Sequence, residues 1–220
     1  VSEQPASVVA GMREFAFKHA LTRDVAYQSL PRPERRRLHR RVAEWVEHVA
    51  PGRYAEMGEI AAYHYLEAVR YGDDDPDLLM HAFELLLSAA DAALARAALT
   101  SADSLFGQAL ELARDPGGRA RALLGLGRTA TGTARYDDAL ALLREARERA
   151  QEAGATSVES DVVAWLTRVS WLAGRWDDAV VLANEAVTML DGLPESPELA
   201  RALARRSQID MLRGLLEAEE

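Results

Sequence analysis

Arg135-Tyr136-Asp137-Asp138-Ala139 recurs 40 residues later as Arg175-Trp176-Asp177-Asp178-Ala179. Each copy follows one apolar-periodic stretch and opens another. The first continues through Leu140, Leu143 and Ala146, the second through Val180, Ala183 and Ala186. Apolar residues at three- and four-residue spacing lie on one face of an α-helix. Turn residues divide the rest of the chain in the same way. Pro31 and Pro33, Pro51-Gly52, Gly72 through Pro76, Asp115 through Gly118, Gly154, Gly174 and Pro194 through Pro197 all break helices. Between them lie stretches rich in Ala, Leu, Glu and Arg, the strongest helix formers. Pro76 before Asp77, and Ser196-Pro197-Glu198, are helix starts. Only the first 20 residues leave room for strands, around Val8-Val9 and Phe15-Ala16-Phe17. Helix is expected over roughly 60% of the chain or more, against ~30–35% in ordinary soluble domains.

The repeat resembles the tetratricopeptide repeat (TPR). Its helix pair has a small residue midway along the first helix, an aromatic before the second, and alanines where the helices cross. Leu123, Gly127, Tyr136, Ala139, Leu143 and Ala146 hold those places in one copy. Trp176, Ala179, Ala183 and Ala186 hold them in the next, where Thr167 replaces the glycine. A weaker earlier copy has Ala90, Ala102, Phe106 and Ala109, and a fourth begins near Leu199. Antiparallel helices approach to ~8–10 Å only over small side chains, which is what the glycine and alanines supply. The copy-to-copy periods of 37 and 40 exceed the ~34 of the family, so extended connecting turns are expected, with the extra residues in 151–160. The resemblance implies an all-α, TPR-like superhelical array of antiparallel helix pairs, stacked from about residue 54 onward, each pair completing its neighbour's core.

Glu14 through His48 resemble the segment closing the ATPase region of large bacterial signalling ATPases of the STAND type. These occur beside class III adenylate cyclase domains and in LuxR-type regulators. Phe15, Phe17, His19, Ala20, Leu21, Arg23, Ala26, Tyr27, Leu30, Arg36, Leu38, His39 and Ala43 carry the likeness. It implies a small, mostly helical, winged-helix-end-like segment at 1–50 and a repeat sensor at 51–220, the whole cut from a longer chain. Read from residues alone, this block is a helix at 19–29 and a second from Pro33 to Val49. Leu38, Val42, Trp45 and Val49 form the expected apolar stripe of that second helix.

Residues 1–50 hold nine Lys or Arg against six Asp or Glu, and the remainder 17 against 29, for a net charge of −9. An acidic body is a poor partner for nucleic acid. The basic run within Arg32–Arg41 supports the alternative of a nucleic-acid-binding helix. No aromatic, Gly or Asn interleaves those arginines to stack on bases or read them, so a solvated basic face is preferred. No apolar run approaching ~18 residues stands out as a membrane span, no secretory signal is visible, and there is no cysteine. A cytoplasmic location is expected.

Lys18, between Phe17 and His19, is the one lysine, so a phosphate-binding loop is absent. His19, His39, His48, His64 and His81 show no metal-ligand spacing, and His64, between Tyr63 and Tyr65, reads as a packing residue. Asp73-Asp74-Asp75 lacks the alternating ligands of a calcium loop. No serine has a base placed beside it. The expectation is a non-catalytic module without cofactor or metal, holding a protein or peptide partner and the rest of a parent chain that would itself carry any ATPase or cyclase activity.

In TPR arrays the first helix of each pair lines a groove. Carried onto this chain, that face holds Glu84, Leu87, Asp91 and Leu94, then Arg121, Leu124, Arg128 and Thr131, then Asp161, Arg168 and Trp171. A guanidinium column of Arg121, Arg128 and Arg168, with Asp161 beside it and Trp171 at one end, suits an acidic peptide.

Overall fold

The computed structural model describes residues 1–5, 13–49, 54–190 and 197–217. It is 81% helical. Among the described residues, β1 (Ser2–Glu3) pairs antiparallel with β2 (Phe15–Ala16), Ser2 opposite Ala16. Then come α1 (Ala20–Gln28), α2 (Arg32–Val49), α3 (Tyr54–Arg70), α4 (Pro76–Ala95), α5 (Leu99–Leu112), α6 (Pro116–Gly132), α7 (Tyr136–Glu152), α8 (Thr156–Leu172), α9 (Trp176–Leu190) and α10 (Pro197–Glu217). The strand expected at Val8-Val9, the turn at Pro51-Gly52 and the breakers Pro194 through Ser196 lie outside the described residues. The chain forms two compact units, 1–85 and 86–220, the boundary falling inside α4.

In the first unit α3 packs on α2. The face α2 buries is His39, Ala43 and Val46, not the expected Leu38–Val42–Trp45–Val49 stripe, and Trp45 stays 39% exposed. A histidine goes inward in place of the tryptophan because its ring nitrogens find partners there. Tyr27 Oη lies 2.7 Å from His39 Nε2, and His64 Nδ1 lies 2.8 Å from His39 Nδ1. A satisfied buried polar ring costs little, and Ala43 lets α3 come close.

The second unit repeats one turn. Residues 96–98, 133–135, 153–155 and 173–175 each hold their middle residue at positive φ: Ala97 at 57°, Ala134 at 58°, Gly154 at 61° and Gly174 at 72°. The amide after it reaches back into the preceding helix, Arg135 N–H to Ala130 O at 2.9 Å and Arg175 N–H to Ser170 O at 2.8 Å. These are Schellman closures. The turns are therefore short, and the expected extension over 151–160 is absent. Helices of 17 residues in α6, α7 and α8 lengthen the period to 40, and a 14-residue α5 gives 37. The surplus residues extend the helices, where each adds a backbone hydrogen bond and a packing position.

Sequential helices from α5 to α10 pack on one another, and α6 also meets α8, as α8 meets α10. Small residues set the spacing. A Cβ on Gly127 would lie 2.7 Å from Leu143, and one on Gly125 would lie 2.3 Å from the Phe106 ring. Forty residues on, Thr167 stands where Gly127 was and Ala183 where Leu143 was, both buried. The larger residue on one helix matches a smaller one on the next, so the departure from the repeat pattern keeps its volume. Thr167 Oγ1 donates to Val163 O at 2.8 Å, which satisfies its hydroxyl. The motif arginines tie successive pairs together, Arg175 to Asp137 at 2.7 Å and Arg135 to Asp103 at 3.3 Å.

Helix α4 corrects one expectation. An 18-residue window within it has mean hydropathy 1.5, enough by length and composition alone to cross a membrane. Here it buries Leu78, Ala82, Phe83, Leu86, Leu87, Ala90 and Ala93, as a core helix does. Leu87, expected on the groove face, is among these.

Candidate protein-interaction face

Helices α6 and α8 stand 40 residues apart in register, so Arg128 and Arg168 occupy equivalent positions. Between them lies Trp165, a residue the sequence reading did not single out. Arg128 Cζ sits 5.8 Å and Arg168 Cζ 5.6 Å from its ring centre, within reach of cation–π attraction. The indole is anchored from below, packed against the cluster of Leu123, Leu140, Leu143, Val162, Leu166 and Val169. Arg128 Nη1 also donates to Asp91 Oδ1 at 2.7 Å, while its Nε is a buried donor with no hydrogen-bond partner. Among the described residues Arg168 makes no ion pair.

Two hollows flank this indole. One of about 800 Å³ is lined by Asp91, Leu94, Arg128, Thr131, Trp165 and Arg168, with others. The second, of about 370 Å³, is lined by Asp161, Ala164, Trp165, Arg168, Ala204, Arg205 and Gln208. The structure thus brings together Arg128, Asp161 and Arg168 around Trp165. Arg121 is exposed on the same helix as Arg128, two turns earlier. Trp171 packs with Ala179, Ala183 and Ile209, its ring centre 6.2 Å from that of Trp176. A tryptophan in a helical stretch reads as core. What marked Trp165 was Arg168 three residues on, a spacing that stacks side chains on one helix face.

Five of the six arginines of α2 are engaged inside its own unit. Arg32 donates to Arg70 O at 3.3 Å, Arg35 to Gln28 O at 2.7 Å and Arg36 to Gly72 O at 3.1 Å. Arg37 pairs with Glu34, and Arg40 reaches Asp75 at 3.2 Å and Asp73 at 3.7 Å. The acidic turn 73–75 therefore caps α4, through Asp75 Oδ1 accepting from Asp77 N–H at 3.1 Å, and anchors α2. The cap hydrogen bond and Arg40 hold the Asp75 carboxyl below its ordinary range.

His39 is the hub of a polar cluster. Tyr27 Oη donates to Tyr71 Oη at 3.1 Å, and the Tyr71 ring stacks on His39 at 5.8 Å. Burial lowers the pKa of His39, with Glu67 opposing. Burial and then His39 lower that of His64. Among the described residues no three His, Asp or Glu side chains gather as a metal site would require.

Solved structures resemble this one. BtubC (BKLC) from P. vanneervenii aligns with a TM-score of 0.60 at 20% identity, covering 90% of this chain and 85% of that one. A Podosopora anserina putative kinesin light chain with nearly identical TPR-like repeats gives 0.51 at 20% identity, over 83% of this chain and 90% of that one. A second structure of the latter gives 0.53 at 19% identity, over 86% and 94%. No protein-family model and no curated protein matches the chain. At such identities the likeness speaks to architecture alone, and the chain has a TPR-like helical-repeat fold.

Proposed function

We propose that this chain is a non-catalytic interaction and sensor scaffold that holds an acidic peptide segment of a protein partner on the face around Trp165. The observation that carries the reading is Trp165 gripped between Arg128 and Arg168, partly open to the two hollows. Aromatic and arginine anchors of this kind dominate interface energetics, and guanidinium forks prefer carboxylates. The local positive charge stands out on a chain of net charge −9, and that contrast steers acidic segments to this face. The resemblance of residues 14–48 supports placing the scaffold in a larger cytoplasmic bacterial signalling or transcription-regulatory ATPase. Residues 1–50 would close its ATPase-associated region and 51–220 would form its repeat sensor. The nucleic-acid alternative loses ground because Arg32, Arg35, Arg36, Arg37 and Arg40 of α2 are spent on backbone carbonyls, Glu34, Asp73 and Asp75. The test is fluorescence polarisation with a labelled Asp/Glu-rich peptide against its Lys-substituted form. Binding of the acidic peptide alone, weakened roughly tenfold or more by Trp165→Ala, supports the reading. Equal binding of both peptides, or indifference to Trp165→Ala, overturns it.

A further inference from the structure

The hollow between α8 and α10 sets two arginines without a carboxylate partner among the described residues against one aromatic wall. Arg119, Arg128, Arg135, Arg147, Arg149 and Arg175 each pair with a carboxylate. Among the described residues Arg168 and Arg205 do not, although both line one hollow with Trp165. Arg205 Nη1 donates instead to the neutral Gln208 Oε1 at 2.9 Å. Its charged form is disfavoured first by burial and then by Arg168. An arginine does not relieve such strain by losing its proton. Asp161 lines the same hollow and is itself engaged in an interaction. It also stands two helical turns, about 10 Å, from Arg168 along α8. Among the described residues, the Arg168–Arg205 end therefore holds two guanidiniums without a carboxylate partner beside an aromatic wall.

We propose that this end of the hollow is a phosphate subsite, in which Arg168 and Arg205 receive the phosphomonoester dianion of a phosphorylated residue in the acidic partner segment. The inference rests on the reading of the Trp165 face as an acidic-peptide surface and adds its regulation, since phosphorylating the partner would tighten capture. A phosphomonoester carries up to two negative charges and three acceptor oxygens, which match two forked donors better than one carboxylate does. The Nε2 donors of Gln208 are the neutral third contact. Trp165 gives the neighbouring peptide residue a flat surface to lie on.

The test uses the full chain and a short Asp/Glu/Gly peptide with one central serine, in unmodified, phosphoserine and serine-to-glutamate forms. Inorganic phosphate is a fourth probe, and all are titrated calorimetrically at constant ionic strength. The phosphoserine form should bind about tenfold more tightly than the serine form. That ratio should collapse toward one in Arg168→Gln and in Arg205→Gln, and survive in Arg128→Gln, which weakens all three peptides alike. Helical circular dichroism of each variant confirms folding, and a variant that unfolds is replaced by the lysine substitution at the same position. Equal affinity for the phosphoserine and serine forms overturns the subsite while leaving the acidic-peptide reading standing, as does a ratio unchanged in both arginine variants. Inorganic phosphate binding as tightly as the phosphopeptide overturns the peptide-borne source. Failure of every peptide to bind removes the underlying reading, and this inference with it.

Discussion

Gly125→Ala sets two effects of opposite sign against each other inside α6. Replacing a helix-interior glycine by alanine should stabilise by about 1 kcal/mol, because alanine loses less backbone freedom on folding. At Gly125 the new methyl would meet Phe106 Cδ1 and Cε1 at 2.3 Å and Cγ at 2.6 Å. Ordinary carbon contacts lie at ~3.5–4.0 Å, so the ring or the helix must shift by more than an ångström. Phe106 is 1% exposed and has no route outward. A contact as close as 2.3 Å puts the overpacking cost at the upper end, ~2–3 kcal/mol, so the collision outweighs the propensity gain. The net loss should be roughly 1–2 kcal/mol, which for a chain of this size lowers the melting temperature by ~2–8 °C. Gly107→Ala is the control. It lies in α5 with nothing within 4 Å of the added methyl, so it should raise stability by up to about 1 kcal/mol. Phe106→Ala alone should cost ~3–5 kcal/mol. In that background Gly125→Ala should turn neutral or stabilising, a coupling above ~1 kcal/mol. Urea unfolding followed by helical circular dichroism measures all four. If Gly125→Ala raises stability as much as Gly107→Ala does, α5 and α6 do not meet as described.

Protonation of the His39–His64 pair should undermine the first unit. Both pKa values are lowered in the folded chain, below the ~6.5 of an unfolded histidine. Their contribution is then complete above pH ~6.5 and is lost as pH falls from there toward the folded values. Two protonated rings would also turn N–H groups against each other across 2.8 Å. Imidazole resonances titrating at or above 6.5 would contradict this, and His64→Gln should reduce the loss of stability between pH 7 and pH 5. Ala134→Gly should stabilise by up to about 1 kcal/mol, since Ala134 holds a left-handed conformation that glycine adopts without strain; a lowered melting temperature would contradict the turn geometry. Duplex DNA should bind only weakly and without sequence preference near physiological salt, because five of the six α2 arginines are already partnered. A salt-resistant gel shift at nanomolar protein would refute that.

The repeat was legible because it depends on local chemistry. The pentapeptide from Arg135 and its copy from Arg175 each mark the entry to a second helix, and Gly127 and Ala139 name the crossing points directly. The lengths of the turns were not legible. A surplus over the usual period says that residues are added, but helix and loop accept them equally well on paper. Only the positive φ at Ala134 and Gly154 shows the turns held at three residues. The inward face of α2 misled for a related reason. Trp45 outranks His39 on any apolar scale, yet His39 is buried because Tyr27, from another helix, and His64, from a third, complete its hydrogen bonds. At the candidate site Arg128, Asp161 and Arg168 followed from the repeat register. Trp165 escaped because its partial exposure depends on how α6 presents Arg128, which no single helix pattern contains.

The chain has four tryptophans, Trp45, Trp165, Trp171 and Trp176, so its indole N–H resonances offer a direct view of where a partner sits. An acidic peptide added to the labelled protein should shift the Trp165 signal, assigned by its loss in Trp165→Phe, and leave the Trp45 signal on α2 unmoved. Binding that leaves Trp165 unmoved, or that shifts Trp45 instead, would contradict the claim that this face is where the scaffold holds its partner.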